Sequence, residues 1–167
     1  MNTLGYYENT KTDLSLETYN LRTLVDEIVM VYKTMADSKK ISLSCEFNHI
    51  QEKITTDKEL FARVLDNIMS NAVKFSPSDT EIRVRTASDE TSFWVHVKDQ
   101  GPGFTEEDRE KLYRKFQKLS ARPTGQESST GLGLSIVKTL IEKLRGSVSL
   151  ETSIEGSEFT LRFPINY

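Results

Sequence analysis

The chain has 167 residues, 37% hydrophobic and 28% charged, with a net charge of −3 and an isoelectric point near 5.5. That is long enough for one domain with its own core and too apolar for a disordered chain, and no basic stripe points to nucleic acid as a ligand. The single cysteine, Cys45, rules out an intrachain disulfide and a cysteine metal site and reads as a small buried side chain.

Residues 1–18 are polar, rich in Thr and Tyr and without period, and read as a linker; residues 19–167 read as the folded domain. Asn20 is placed to cap a helix through NLRTLVDEIVMVYKTMADSKK, with Leu21, Leu24, Val25, Ile28, Tyr32 and Met35 at helical spacing. ISLSCEF alternates like a half-buried strand, and KITT is a second short strand. Asp57 caps the next helix, whose apolar face is Phe61, Val64, Leu65, Ile68, Ala72 and Phe75. The turn residues Ser76–Asp79 end it. EIRVRTA and SFWVHVKD form an antiparallel hairpin, followed by the tight turn QGPGF and the start of an acidic helix at TEEDREKLYRKF. Residues 119–130, LSARPTGQESST, have the composition of a mobile loop. GLGLSIVKTLIEKL then opens a helix with a stripe of Leu134, Val137, Ile141 and Leu144, and GSVSLETS and SEFTLRFPI close the chain as a second hairpin turning at IEG. This order predicts an α+β two-layer sandwich, a mixed and largely antiparallel sheet covered on one face by helices.

Three features carry chemistry. At roughly 100° per helical residue, Asn67, Asn71 and Lys74 share a wedge of roughly 60° beside the apolar face. An amide oxygen is a neutral hard ligand suited to Mg²⁺, and an adjacent ammonium offsets phosphate charge. Asp99 ends an apolar strand and is followed by Gly101 and Gly103. An ionised carboxylate only accepts hydrogen bonds, so it selects an amine such as that of adenine, and the glycines let the backbone close on the ligand. Gly131 and Gly133 open a helix, whose free N–H groups and positive dipole end suit phosphates. Neither GxGxxG after a strand nor GxxxxGK[ST] is present, which excludes Rossmann and Walker-type sites.

In this order the features resemble the ATP-binding catalytic domain of sensor histidine kinases, in the GHKL superfamily with its Bergerat fold. NIMSNAVKF resembles the N box, DQGPGF the G1 box, LYRKFQKLS the F box and STGLGLSIVK the G2 box, over roughly residues 20–164. Tyr113 stands where the family often has Phe. The resemblance implies Mg²⁺ and ATP as cofactors, with Asn71 and Asn67 as metal ligands and Lys74 on phosphate. It implies Phe75 near the base, Asp99 on the adenine amine, Gly101 and Gly103 shaping that wall, and Phe104 to Thr130 as the ATP lid. Lys118 and Arg122 of the lid would reach the γ-phosphate, and Thr130, Gly131, Leu132 and Gly133 would meet the phosphates. Hydrolysing relatives and the anti-sigma serine kinases carry Glu where this chain has Asn67. An amide cannot act as a general base, and phosphoryl transfer rests on positioning and charge neutralisation. The expected reaction is transfer of the γ-phosphoryl group to histidine.

His49 and His96 lie in strand regions without the acidic follower of an acceptor box, and both read as structural. The expected chain is therefore a fragment lacking the dimerisation hairpin and its acceptor histidine: monomeric, unable to phosphorylate itself, and partnered by that hairpin and a response regulator. A cytoplasmic setting is expected, since no apolar run spans a membrane and no signal peptide opens the chain; this leaves open whether the parent is an inner-membrane sensor. The competing readings are a GHKL ATPase or serine kinase, which Asn67 disfavours, a nucleotide-sensing module without catalysis, which the complete set of boxes disfavours, and a plain α+β domain with chance motifs, which four boxes in order disfavour.

Overall fold

In chain order the elements are β1 (Leu16–Asn20), α1 (Leu21–Met30), α2 (Lys33–Ser38), β2 (Ser42–His49), β3 (Lys53–Asp57), α3 (Lys58–Phe75), β4 (Glu81–Ser88), β5 (Ser92–Asp99), α4 (Ser129–Lys143), β6 (Ser147–Ser153) and β7 (Gly156–Pro164). They come from a computed structural model, which describes residues 14–49, 52–103, 107 and 129–167.

Both predicted caps form. The Asn20 side chain accepts the Thr23 N–H at 3.0 Å, and Asp57 accepts the Leu60 N–H at 3.1 Å, satisfying N–H groups that have no partner within the helix. Asp57 does more than cap α3, because its other oxygen accepts the Ser15 N–H at 3.0 Å. The same strand register sets Leu16 opposite Asp57 and Asn20 opposite Lys53 in a two-stranded antiparallel sheet of β1 and β3. Leu16–Thr18, expected as linker, are therefore ordered against the strand that leads into α3.

The single helix expected over residues 20–40 is two. The Tyr32 N–H reaches the Val29 carbonyl, a three-residue spacing that rotates the chain further per residue than an α-helix does. The phase shifts, so Ala36 takes the buried position and Met35 is left 51% exposed. Tyr32 itself fixes the junction to α3 through its hydroxyl, which donates to the Asp66 carboxylate at 2.9 Å and the Asp66 carbonyl at 3.2 Å. Burial and this carboxylate hold the phenol well above its usual pKa.

The main sheet has the order β2-β4-β5-β7-β6. β2 and β4 run parallel, and the other three pairings are antiparallel, as the two hairpins predict. One face packs against α3 and α4; the other presents Arg83, Arg85, His96, Lys98, Thr160 and Arg162 as half-buried or exposed side chains. Each strand's alternation sets this division. The core centres on Phe61 of α3, Phe93 of β5 and Phe163 of β7, fully or nearly fully buried with ring centroids 5.3–5.9 Å apart. Cys45 departs from the expected burial: it is half-buried at the β2 edge, where desolvation and then Asp26 push its thiol up to about 11.

Thr86 points into the core at 1% exposure, and its hydroxyl has no hydrogen-bond partner among the described residues. A buried unpaired hydroxyl costs about 1–3 kcal/mol. Thr86→Val keeps the shape and removes that cost, so it is expected to raise stability by about 1 kcal/mol in urea denaturation.

Candidate functional site

Asn67, Asn71, Lys74 and Phe75 occupy the second half of α3. The helix buries Phe61, Val64, Leu65, Ile68, Met69, Ala72 and Val73, so its inward face is wider than the sequence pattern implies. Asn67 and Asn71 are half-buried at the border of that face. Asn67 donates to the Arg63 carbonyl one turn back at 2.8 Å, which fixes its nitrogen against the helix and leaves its oxygen as acceptor. The Asn71 amide makes no hydrogen bond to any described residue. Phe75, predicted on the core face, is instead 42% exposed. It is the last residue of the helix and projects past the packed layer, with the Lys74 ammonium 5.6 Å from its ring centroid.

The end of α3 is tightly held. Lys74 and Phe75 are followed by Ser76, buried at 2% exposure, whose hydroxyl donates to the Ala72 carbonyl at 2.6 Å. Lys39, which sequence reasoning passed over, donates its ammonium to the Val73 carbonyl at 2.7 Å and the Lys74 carbonyl at 3.2 Å. Its only sequence signal is a position just past α2, and its partners lie 34 and 35 residues further on, so no local pattern could have found it.

Asp99 closes β5, half-buried. Its Oδ1 accepts the Gly101 N–H at 2.9 Å. Desolvation raises its carboxyl above the ordinary range, while the backbone N–H groups of Gly101 and Ser157 hold it partly down. A Cβ on the buried Gly101 would lie 3.1 Å from both Asp99 Oδ1 and the Phe75 carbonyl oxygen. One glycine thus joins the end of β5 to the end of α3, and two separated sequence motifs meet there.

The turn between β6 and β7 braces the same loop from below. Gly103 has φ +76°, and a Cβ there would run into the Ser153 carbonyl. Gly156 has φ +148°, and a Cβ there would run into the Asp99 carbonyl. Both positions combine a left-handed backbone with close approach, which glycine alone tolerates. The Asp99–Ser157 register pair and the 2.9 Å contact between the Thr152 and Ser157 hydroxyls complete the brace. Gly156 and Ser157 sat in the predicted hairpin, but nothing local in that hairpin signals that its tip supports Asp99.

Thr130, Gly131, Leu132 and Gly133 lie at the start of α4. The helix begins at Ser129, two residues before the predicted start, which puts Gly131 in the first turn, where backbone N–H groups are unpaired. α4 packs against α3 and buries Val137, Leu140, Ile141 and Leu144, so it belongs to the same helical layer as Asn71. Leu140 joins the predicted stripe; the side chain of Leu134 lies outside the described residues. Phe104, Lys118 and Arg122, the lid expected over 104–130 apart from Glu107 and the α4 backbone from Ser129, and the helix expected at TEEDREKLYRKF apart from Glu107 also lie outside them.

His96, expected to be structural, sits in β5. Its Nδ1 lies 3.0 Å from the Thr160 hydroxyl on the open sheet face, and burial followed by Arg85 lowers its pKa. The His49 side chain lies outside the described residues. No cluster of three or more His, Cys, Asp or Glu occurs among the described residues. An open pocket of about 430 Å³ lined by Lys40, Ser42, Asp79, Thr80, Glu81 and Gln100 lies at the β2 and β4 edge and includes none of the predicted site residues. No helix among the described residues is long and apolar enough to cross a membrane.

The chain is 28% identical over 150 residues to the sensor protein SrrB of Staphylococcus aureus strain MRSA252, covering 89% of this chain and 25% of that protein. It thus spans about a quarter of the length of the curated relatives it matches. Its fold superposes on the nucleotide-free catalytic domain of histidine kinase ThkA with a TM-score of 0.77 at 23% identity, covering 92% of this chain and 97% of that one. ThkA in complex with the response regulator protein TrrA superposes with a TM-score of 0.71 at 22% identity, covering 90% and 42%. Full-length ShkA in complex with AMPPNP superposes with a TM-score of 0.76 at 25% identity, covering 90% and 31%. Residues 56–167 match the family described as histidine kinase-, DNA gyrase B-, and HSP90-like ATPase, and with a matching fold beneath that match the chain belongs to this family of ATP-binding domains.

Proposed function

We propose that this chain is the catalytic domain of a two-component sensor kinase, binding Mg-ATP between the end of α3, the Asp99 loop and the start of α4. The observation that carries the reading is the junction at Gly101, where the Asp99 carboxylate and the last turn of α3 come within contact of one backbone position. Asp99 is suited to accept from the adenine amine, because Gly101 and Ser157 already hold its oxygens from the protein side. Phe75, exposed at the same end, offers a ring face to the base. Lys74 and the first turn of α4 would take the phosphates.

The residues fit a hard divalent cation. Asn71 brings a half-buried amide without a described partner, and the Asn67 oxygen is left over once its nitrogen is bound to Arg63. Asn71 and Asn67 would hold the Mg²⁺, which when bound offsets the charge of the phosphate oxygens. An amide at Asn67 cannot accept a proton from water or from a serine hydroxyl. A histidine acceptor brings its own nucleophilic nitrogen, so the site supports transfer to histidine better than hydrolysis or serine phosphorylation.

In this reading the chain works in the cytoplasm as part of a longer sensor kinase. The acceptor histidine sits on a separate dimerisation hairpin, the phosphoryl group passes on to a response regulator, and the isolated chain is monomeric and does not phosphorylate itself. The test is incubation with γ-labelled ATP, with and without a separately supplied dimerisation hairpin. Label on the hairpin histidine, with little free phosphate released, is the expected result. Steady ATP hydrolysis without transfer would favour the ATPase reading.

A further inference from the structure

We infer that Lys39 is a positioning residue for the polyphosphate, acting through the end of α3; the inference rests on the nucleotide site proposed above. A helix C-terminus carries about half a negative charge and four carbonyls without helical partners. That is a poor neighbour for phosphates, yet Asn71 and Lys74 place the phosphate end of the site on this turn. The Ala72 carbonyl is taken by the Ser76 N–H and hydroxyl. The next two, Val73 and Lys74, are both taken by the Lys39 ammonium. Lys39 thus puts a full positive charge on the negative pole of the helix that bears Asn67, Asn71 and Lys74.

Its own placement is rigid. The Ile41 N–H reaches the Ala36 carbonyl at 2.8 Å and the Lys40 N–H reaches the Asp37 carbonyl at 3.0 Å, with Lys40 at φ +60°. This pair of bonds is a Schellman closure of α2. Ile41, 2% exposed, anchors it in the core, and the Lys40 carbonyl accepts the Asp79 N–H at 2.7 Å from the far side of α3. The half-buried Lys39 stem is therefore held at the helix end from a different element.

The test separates charge from helix support. Lys39→Met keeps the stem and removes the charge, Lys39→Arg keeps the charge, and Ser76→Ala loosens the same turn without changing charge. Affinities of the full chain for Mg-AMPPNP and for adenosine are measured by NMR titration, alongside thermal melts. Lys39→Met is expected to weaken Mg-AMPPNP by about tenfold and adenosine less than about twofold. Lys39→Arg is expected to recover most of that loss, and Ser76→Ala to shift both ligands by the same factor. Equal losses for both ligands in Lys39→Met, or no loss in either, would overturn the inference while leaving the nucleotide site standing. Failure of the wild type to bind Mg-AMPPNP would overturn the site and the inference together. Should Lys39→Met not fold, the wild-type Lys39 side-chain resonance decides: it is expected to move with Mg-AMPPNP and not with adenosine, and an unmoved resonance contradicts the inference.

Discussion

Asp99→Asn is expected to lower the affinity for Mg-AMPPNP by about one hundredfold while leaving the fold intact. The Gly101 and Ser157 N–H groups face the carboxylate from the protein side. An asparagine there keeps those bonds by turning its oxygen toward them, and its NH₂ then faces the adenine amine, donor against donor. An unmade bond plus a stranded donor costs about 2–3 kcal/mol, which is the expected factor. Stability should move the other way. The folded-state pKa of Asp99 is raised by burial, so its ionised form disfavours the fold. That penalty is absent below the unfolded pKa, grows as pH rises through the window between the two, and is full above the folded value. At neutral pH the ligand-free Asp99→Asn variant is therefore expected to melt at or above the wild-type temperature. Loss of binding with loss of fold would show that Asp99 is a structural acceptor and not a ligand acceptor.

Phe61→Ala is expected to cost about 3–5 kcal/mol, a large share of the whole stability of a domain this size. Its ring sits between Phe93 and Phe163, with all three at 1% exposure or less. The ring pair geometry resists collapse, because the two partners belong to hydrogen-bonded strands that cannot follow the missing atoms. Phe61→Leu fills most of the volume and is expected to cost less than half as much. Urea denaturation measures both; equal costs would mean that aromatic contact, not cavity volume, dominates there.

The fold was legible because its signals are local. The caps at Asn20 and Asp57 and the alternation in β4 and β5 each need only a few neighbouring residues and form as read, and the IEG turn forms one residue shorter, at Ile154 and Glu155. The parallel pairing of β2 with β4 was less legible, since only a mixed sheet could be inferred and nothing local names the partner strand. The break at Val31 and Tyr32 escaped because Tyr32 suits the helical pattern; its hydroxyl bond to Asp66, on another helix, decides the geometry. β1 escaped because its side chains are mostly exposed, which leaves no hydrophobic period to read.

At the candidate site, the residues proposed to meet the nucleotide are legible in the sequence and those that hold them are not. Asn67, Asn71, Lys74 and Asp99 stand out as polar residues on otherwise apolar elements. Lys39, Gly156 and Ser157 do their work across the fold, and in sequence they look like an ordinary surface lysine and the entry to a hairpin. Phe75 was read as core from its phase, but a helical phase does not record where the packed layer ends.

One calorimetric titration of Mg-AMPPNP into the 167-residue chain, repeated without Mg²⁺, tests the nucleotide site most directly. One site per chain, with a dissociation constant between about 1 μM and 1 mM and clear weakening when Mg²⁺ is withheld, is what the amide and ammonium row on α3 requires. No heat at millimolar nucleotide, or binding indifferent to Mg²⁺, would contradict it.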